Sequence, residues 1–287
     1  MNKDLRLSAS IFLNLVDVFK ANGWEIPNGT SGMESRFNRF CERLSILDTK
    51  EQQLVIELTR RFTDISGSEY LQLIIKLLNR IHDERNAVFS TAKKFFILPL
   101  VAPQDFSRTK SSSFVWYYFR DELVKYNPLF VGKNLVYCDI EKASWVRNLK
   151  TDEMVILVDD FIGSGETAVG AVTWIVDTFK IDPKQIVILS IAAQELGIKH
   201  ILQETGVATY SYYKFTRGIS DFYSDEQRKD YLAIMNVIED KLKVDSEDRL
   251  GYNQSEALIS LIRTPNNTLP VFWKTKNRSK PAPFPRD

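Results

Sequence analysis

The chain predicts an α/β fold, a parallel sheet flanked by helices, preceded by an N-terminal helical module. Three observations carry this. From about residue 94, short apolar runs alternate with segments of helical period, the order that builds a parallel sheet covered by helices. The runs 154–158 and 186–193 are apolar without alternation, as strands buried on both faces must be. Residues before about 92 hold only helical-period faces. The expected boundaries are therefore 1–92 for the helical module and 93–287 for the α/β domain with a C-terminal extension.

Taken in order, Ile11, Leu15, Val18 and Phe19 form one apolar helix face, and Phe37, Phe40, Cys41 and Leu44 a second. Leu54, Ile56, Leu58 and Phe62 form a third, and Leu71, Ile74, Ile75, Leu78 and Ile81 a longer fourth. GWEIPNGTSG between the first two is a loop by its Gly, Pro and Asn content. Residues 95–100 read as the first sheet strand. The loop after it carries Arg108 and Lys110 and leads to a helix over 114–126 that Ser112 or Ser113 could cap. A second strand, 135–138, is followed by a polar interval with Lys142, Trp145, Arg147 and Lys150. The strand 154–158 comes next, then a helix opened by Thr167 with Ala168, Ala171, Val172, Ile175, Val176 and Phe179 at helical spacing. Strand 186–193, a helix over 196–203 ended by Gly206, and strand 208–213 complete the alternation. Residues 220–243 read as helical, as do about 254–263. Pro265, Asn266 and Asn267 then make a turn before a short aromatic segment, 269–273.

The stretch MVILVDDFIGSGETA concentrates the chemistry. A buried strand ends in Asp159 and Asp160, then Gly163, Ser164 and Gly165 lead into a helix. Glycines admit a ligand close to the backbone, and the unpaired amides at a helix start favour phosphate. Ser164 and Thr167 add hydroxyl donors. The carboxylates suit the other end of such a ligand, its sugar hydroxyls or the waters on a divalent cation. They can serve one ligand only if the chain turns out of the strand at Asp160, since neighbours on a strand point oppositely. A ribose 5-phosphate matches both halves. A Walker loop does not fit, because Glu166 stands where its Lys should follow Gly165. GSGETA satisfies a dinucleotide G-x-G-x-x-A, but four residues separate its first glycine from the apolar run, and the next acid at a strand end, Glu195, lies roughly 30 residues on rather than about 20.

Residues 158–167 resemble the ribose-phosphate signature of the type I phosphoribosyltransferases: an apolar strand, two acids, two apolar residues, a small residue, Ser/Thr, Gly, any residue, Thr. The resemblance implies a type I phosphoribosyltransferase-like core that binds 5-phosphoribosyl 1-diphosphate with magnesium. Asp159 and Asp160 would hold the ribose hydroxyls and waters on the metal. Gly163, Ser164, Gly165, Glu166 and Thr167 would cradle the 5-phosphate. Arg108 and Lys110 stand where the superfamily grips pyrophosphate, and Lys142 and Arg147 lie in the interval that is a mobile loop there. Two departures stand out. Glu166 puts a carboxylate inside the phosphate loop, and Gly163 replaces the acid that serves the base in 6-oxopurine enzymes, which argues against purine salvage. The block TPNNTLPVFW, with Gly251 before it and a closing FPR, is similar to a bacterial subgroup of phosphoribosyltransferase-like proteins tied to conflict and anti-phage gene clusters (PRTase-CE-like). What this implies is an effector of a retron-type defence system acting on nucleotide metabolism, either a pentosyl transferase or a non-catalytic module that senses the same ligand or holds a partner.

Composition narrows the remainder. A formal charge of +1 over 287 residues gives no global reason for nucleic-acid or membrane binding. Only the tail from Lys274, with five cations against Asp287, offers nucleic acid a contact. Cys41 and Cys138, far apart, fit a reducing compartment, and the start MNKDLRLSAS leads into an apolar stretch broken by Asp17 with no small-residue cleavage site, so a cytoplasmic protein is expected. With only His82 and His200, histidine-based metal or triad chemistry is not expected. The N-terminal helices are expected to pack on the sheet or hold a protein partner, and TPNNTLPVFW to pack beside the sheet's carboxyl edge. Gly165→Val is expected to abolish ligand binding without unfolding the chain.

Overall fold

The structure, a computed structural model, describes residues 7–28, 32, 34–108, 110–275 and 281–286, with the backbone alone at 140–142. It divides into two compact units, Met1–Ile65 with Thr216–Asp287, and Ser66–Phe215. This differs from the 1–92 and 93–287 boundaries expected from sequence.

The first unit opens with α1 (Ala9–Ala21), α2 (Arg36–Ser45) and α3 (Thr49–Arg60), followed by β1 (Thr63–Asp64). Each helix starts on a side-chain cap. Ser8 accepts from the Ile11 amide and Ser35 from that of Asn38, while Asp48 and Glu51 form a reciprocal capping box. Their apolar faces bury Ile11, Leu15, Val18, Phe19, Phe37, Phe40, Leu44, Leu54 and Leu58.

The second unit runs α4 (Tyr70–Asp83), α5 (Ala87–Thr91), β2 (Lys94–Pro99), α6 (Ser111–Tyr118), α7 (Glu122–Lys125), β3 (Asn134–Tyr137), β4 (Glu153–Ile162), α8 (Glu166–Phe179), β5 (Ile186–Gln194), α9 (Glu195–Thr205) and β6 (Ala208–Phe215). Its five strands are all parallel, in the order β3-β2-β4-β5-β6. The predicted parallel sheet is therefore present, with every strand end within four residues of its expected place. Phe96, Leu98, Val155, Leu157, Ile186 and Ile188 pack with Ala168, Ala171, Val172 and Ile175 of α8 in one buried cluster. The helix expected over 114–126 is instead two, α6 and α7, because Asp121 caps a new start by accepting from the Leu123 amide. The order of strands reverses between β2 and β4, so the crevice beyond their carboxyl ends is the place where such sheets take ligands.

The chain then returns to the first unit with α10 (Asp225–Leu242), β7 (Ile259–Ser260) and α11 (Pro270–Trp273). β7 pairs in parallel with β1, Thr63 opposite Ile259. The helix expected over about 254–263 is absent. Leu250, Asn253, Gln254 and Glu256 all have positive φ, between 47° and 56°, which no right-handed helix allows. Glu256 is spent on ties instead, its Oε2 accepting from the amides of Ile219 (2.8 Å) and Ser220 (2.7 Å). TPNNTLPVFW packs within the first unit. Phe272 meets Phe62 at 4.6 Å between ring centroids and Phe40 at 6.4 Å, so the block completes the core of the N-terminal helices within their own unit. Phe284 stacks on Phe62 at 4.4 Å and meets Trp24 and Phe40. Of the basic tail, Lys276, Arg278 and Lys280 lie outside the described residues, while Lys274 pairs with Asp245 and Arg286 donates to the Thr264 carbonyl. Among the described residues no helix is long and apolar enough to cross a membrane, and neither cysteine is in a disulfide.

Candidate functional site at the β4–α8 turn

β4 does not end at the acids. It continues to Ile162, with Asp159 opposite Ser190 and Phe161 opposite Ala192, so the turn expected at Asp160 falls three residues later. The two carboxylates nonetheless come together. The Asp159 side chain folds over its neighbour, Oδ1 accepting from the Asp160 amide at 2.9 Å and from Ser111 Oγ at 3.5 Å. Asp160 Oδ2 accepts from the Tyr70 hydroxyl at 3.0 Å. Both acids are nearly enclosed, 9% and 5% exposed. Burial, and next the charge of Asp160, push the Asp159 carboxyl well above the usual carboxylate range, and Lys110 opposes the shift.

Lys110 is thus close enough to act on the acid pair, but its ammonium also pairs with Asp105 at 2.8 Å. Arg108, on the same loop, reaches the other oxygen of Asp105 at 3.4 Å while remaining 72% exposed. Of the cations expected in the next interval, Arg147 lies 6.0 Å from the Phe179 ring, and the Lys142 side chain lies outside the described residues.

The glycine turn is built by backbone packing. Gly165 sits at φ +89° as the N-cap of α8, where a β-carbon would meet the Gly197 carbonyl oxygen at 2.8 Å. A β-carbon on Gly197, in turn, would stand 2.1 Å from the Gly163 carbonyl oxygen. The turn therefore rests directly on the first turn of α9, and Gly165→Val would displace backbone, against the expectation that it leaves the fold intact. Ser164 is buried in this turn, while Glu166 and Thr167 are exposed at the start of α8. Glu166 reaches sideways to His200 Nε2 at 3.6 Å, which accounts for a carboxylate in a phosphate-type loop.

Five residues at this place were not singled out in the sequence. Tyr70 belongs to a helix whose signal is its apolar face, Ser111 is the first residue of α6, and Asp105 closes a short 3-10 turn before it. Gly197 and His200 carried a readable cue, since a glycine inside a helical pattern marks close approach of another backbone.

Among the described residues no group of three or more His, Cys, Asp or Glu side chains could hold a metal. Two hard carboxylate oxygens suit magnesium in its usual manner, where ligand phosphates and waters complete the shell, so the donor set fits that ion as a shared one.

A parallel sheet whose switch point carries an acid pair, a glycine turn and a helix N-terminus defines a phosphoribosyltransferase-like α/β protein. The PRTase-CE family model matches residues 38–286, and the chain belongs to that family. The match starts inside α2, so most of the N-terminal helical part is family structure. A solved structure, APRTase from Giardia lamblia complexed with 9-deazaadenine, is similar over 49% of this chain and 80% of that one, with 14% identity and a TM-score of 0.29. No curated protein matches the chain.

Proposed function

We propose that this protein binds 5-phosphoribosyl 1-diphosphate with magnesium at the β4–α8 turn and serves as an effector of a bacterial anti-phage defence system of retron type. The observation that carries the ligand is a buried acid pair near the end of the strand that leads, through the glycine turn, into a helix N-terminus opening on a glycine at φ +89°. Amides at the start of α8, with Ser164 and Thr167, take the 5-phosphate, and Asp159 and Asp160 take the ribose hydroxyls. Magnesium would supply charge neutralisation on the leaving pyrophosphate. Lys110 adds a cation beside the acids. In transfer, an acceptor atom bonds to the anomeric carbon as the bond to pyrophosphate oxygen breaks, and the electron pair leaves with pyrophosphate. The defence role rests on membership of the family and on the resemblance of TPNNTLPVFW to the conflict-associated subgroup.

A second reading, a sensor that binds this ligand without transferring it, is favoured by one feature. Both loop cations are already paired with Asp105, so catalysis requires that pairing to open. Calorimetric titration with 5-phosphoribosyl 1-diphosphate and magnesium, with pyrophosphate release followed in the same samples, decides between them. Binding with release supports the transferase, binding without release the sensor, and no magnesium-dependent binding overturns both.

A further inference from the structure

A helix that precedes the first strand of the five-stranded sheet reaches the acid pair. Tyr70, the first residue of α4, is fully buried and donates its hydroxyl to Asp160 Oδ2 at 3.0 Å. Ser111, the first residue of α6, stands in the same relation to Asp159, at 3.5 Å. Each acid thus meets a hydroxyl at the opening of a helix, where the helix dipole favours negative charge. Tyr70 is the more firmly held of the two donors. The turn before it, Gly67–Glu69, is closed by Glu69, whose Oε2 accepts from the Ser66 amide at 2.8 Å and from the Ser66 hydroxyl at 2.7 Å. Tyr118 of α6 donates to the Gly67 carbonyl at 3.1 Å, and the rings of Phe114 and Tyr118 each stand 6.2 Å from that of Tyr70.

Packing alone does not call for that hydroxyl. A phenylalanine would fill the same place against Phe114 and Tyr118, whereas a buried phenol brings a polar group that has to find a partner. The partner here is a buried carboxylate, and hydrogen bonds to an ionised acceptor are among the stronger and more directional ones. Asp160 needs such a tie. It follows Asp159 on β4, so a regular strand would aim the two carboxylates at opposite faces, and their like charges push them further apart.

We propose that Tyr70 is a positioning residue for the acid pair, its hydroxyl setting the rotamer of Asp160 in which both carboxylates serve one magnesium–ligand complex. The inference rests on the reading of the β4–α8 turn given above, and it draws into that site a helix outside the ribose-phosphate signature. Calorimetry on the full chain with 5-phosphoribosyl 1-diphosphate, at limiting and at saturating magnesium, tests it. Tyr70→Phe should melt as a folded protein and bind about fivefold or more weakly than the parent at limiting magnesium. Saturating magnesium should restore most of that loss, because excess ion compensates by mass action for a poorly aimed ligand. Added to Asp160→Asn, the substitution should weaken binding no further, and Tyr118→Phe, which removes a neighbouring hydroxyl, should keep the parent's magnesium requirement. If Tyr70→Phe folds poorly, 4-fluorophenylalanine in place of Tyr70 keeps the size, removes the donor and carries the same comparison. Absence of magnesium-dependent binding in the parent overturns this inference together with the proposed function. Binding by the parent and equal binding by a folded Tyr70→Phe at both magnesium levels overturns this inference alone. So does an equal loss at both levels, which is the mark of a purely structural role.

Discussion

Asp159 and Asp160 repel each other in a place where water is scarce, so their charge costs stability that only a ligand can return. The double variant Asp159→Asn/Asp160→Asn keeps the shape and leaves Tyr70 and Ser111 with acceptors. It should melt at or above the parent temperature and lose magnesium-dependent binding of 5-phosphoribosyl 1-diphosphate by more than tenfold. Loss of folding, observed by circular dichroism, would mean the pair is structural. Glu239 gives a separate test by pH. It is fully buried, its Oε1 accepts from the Leu250 amide at 2.8 Å, and Arg249 Nε stands 3.6 Å from Oε2. Burial pushes its pKa up to about 7, against that hydrogen bond and Arg249, while Asp240 and Glu256 add to the rise. A raised folded pKa means the native state keeps a proton that the unfolded chain releases near the ordinary glutamate value. Its stabilisation is complete below that value and is lost as pH rises through about 7. Glu239→Gln keeps the acceptor and cannot ionise, so melting temperature should fall less between about pH 5 and pH 8 than in the parent.

The acids and glycines were legible because they interrupt an apolar run, and the strands because that run had no alternation. What the sequence hid were partners brought in by tertiary contact. Tyr70 donates to Asp160 across 90 positions, and Gly197, whose place inside a helical pattern marks a close approach, gives no sign of which backbone it meets. Gly197→Ala should therefore force the Gly163 carbonyl aside. A cost of about 1–3 kcal/mol is expected from denaturant unfolding, with weaker ligand binding, whereas Gly206→Ala, where a β-carbon meets nothing within 4 Å, should cost only its positive-φ strain. The segment 254–263 reads as a helix because Ala257, Leu258, Leu261 and Ile262 supply helical spacing, while positive φ at Leu250, Asn253, Gln254 and Glu256 is not written in residue type. In the aromatic core, Phe284 stacks on Phe62 and lies under Arg36 at 4.5 Å. Phe284→Ala should cost about 3–5 kcal/mol, the usual range for a buried phenylalanine, read from the unfolding midpoint at constant slope.

The first unit is made of the two ends of the chain, a division that composition and periodicity could not show because both ends read as ordinary helices and turns. Its core joins Phe19, Phe40 and Phe62 from the start to Leu269, Phe272 and Phe284 from the end, and Arg43 donates to the Lys274 carbonyl across it. The N-terminal helices hence do not have a free apolar face waiting for a partner on that side; residues more than 200 positions later cover it. β1 depends on the same return, since among the described residues its ladder is with β7 alone. Truncation before Thr264 removes three aromatic rings, Phe272, Trp273 and Phe284, together with the Trp273 and Thr264 hydrogen bonds that fasten the block to itself. At about 2 kcal/mol or more for each buried ring, the loss equals a large part of the stability of a domain this size. The truncated chain should therefore expose α1 to α3, and limited proteolysis should cut first within residues 7–62, far from the new end. Survival of those helices under protease concentrations that spare the parent would show that they fold without the C-terminal block.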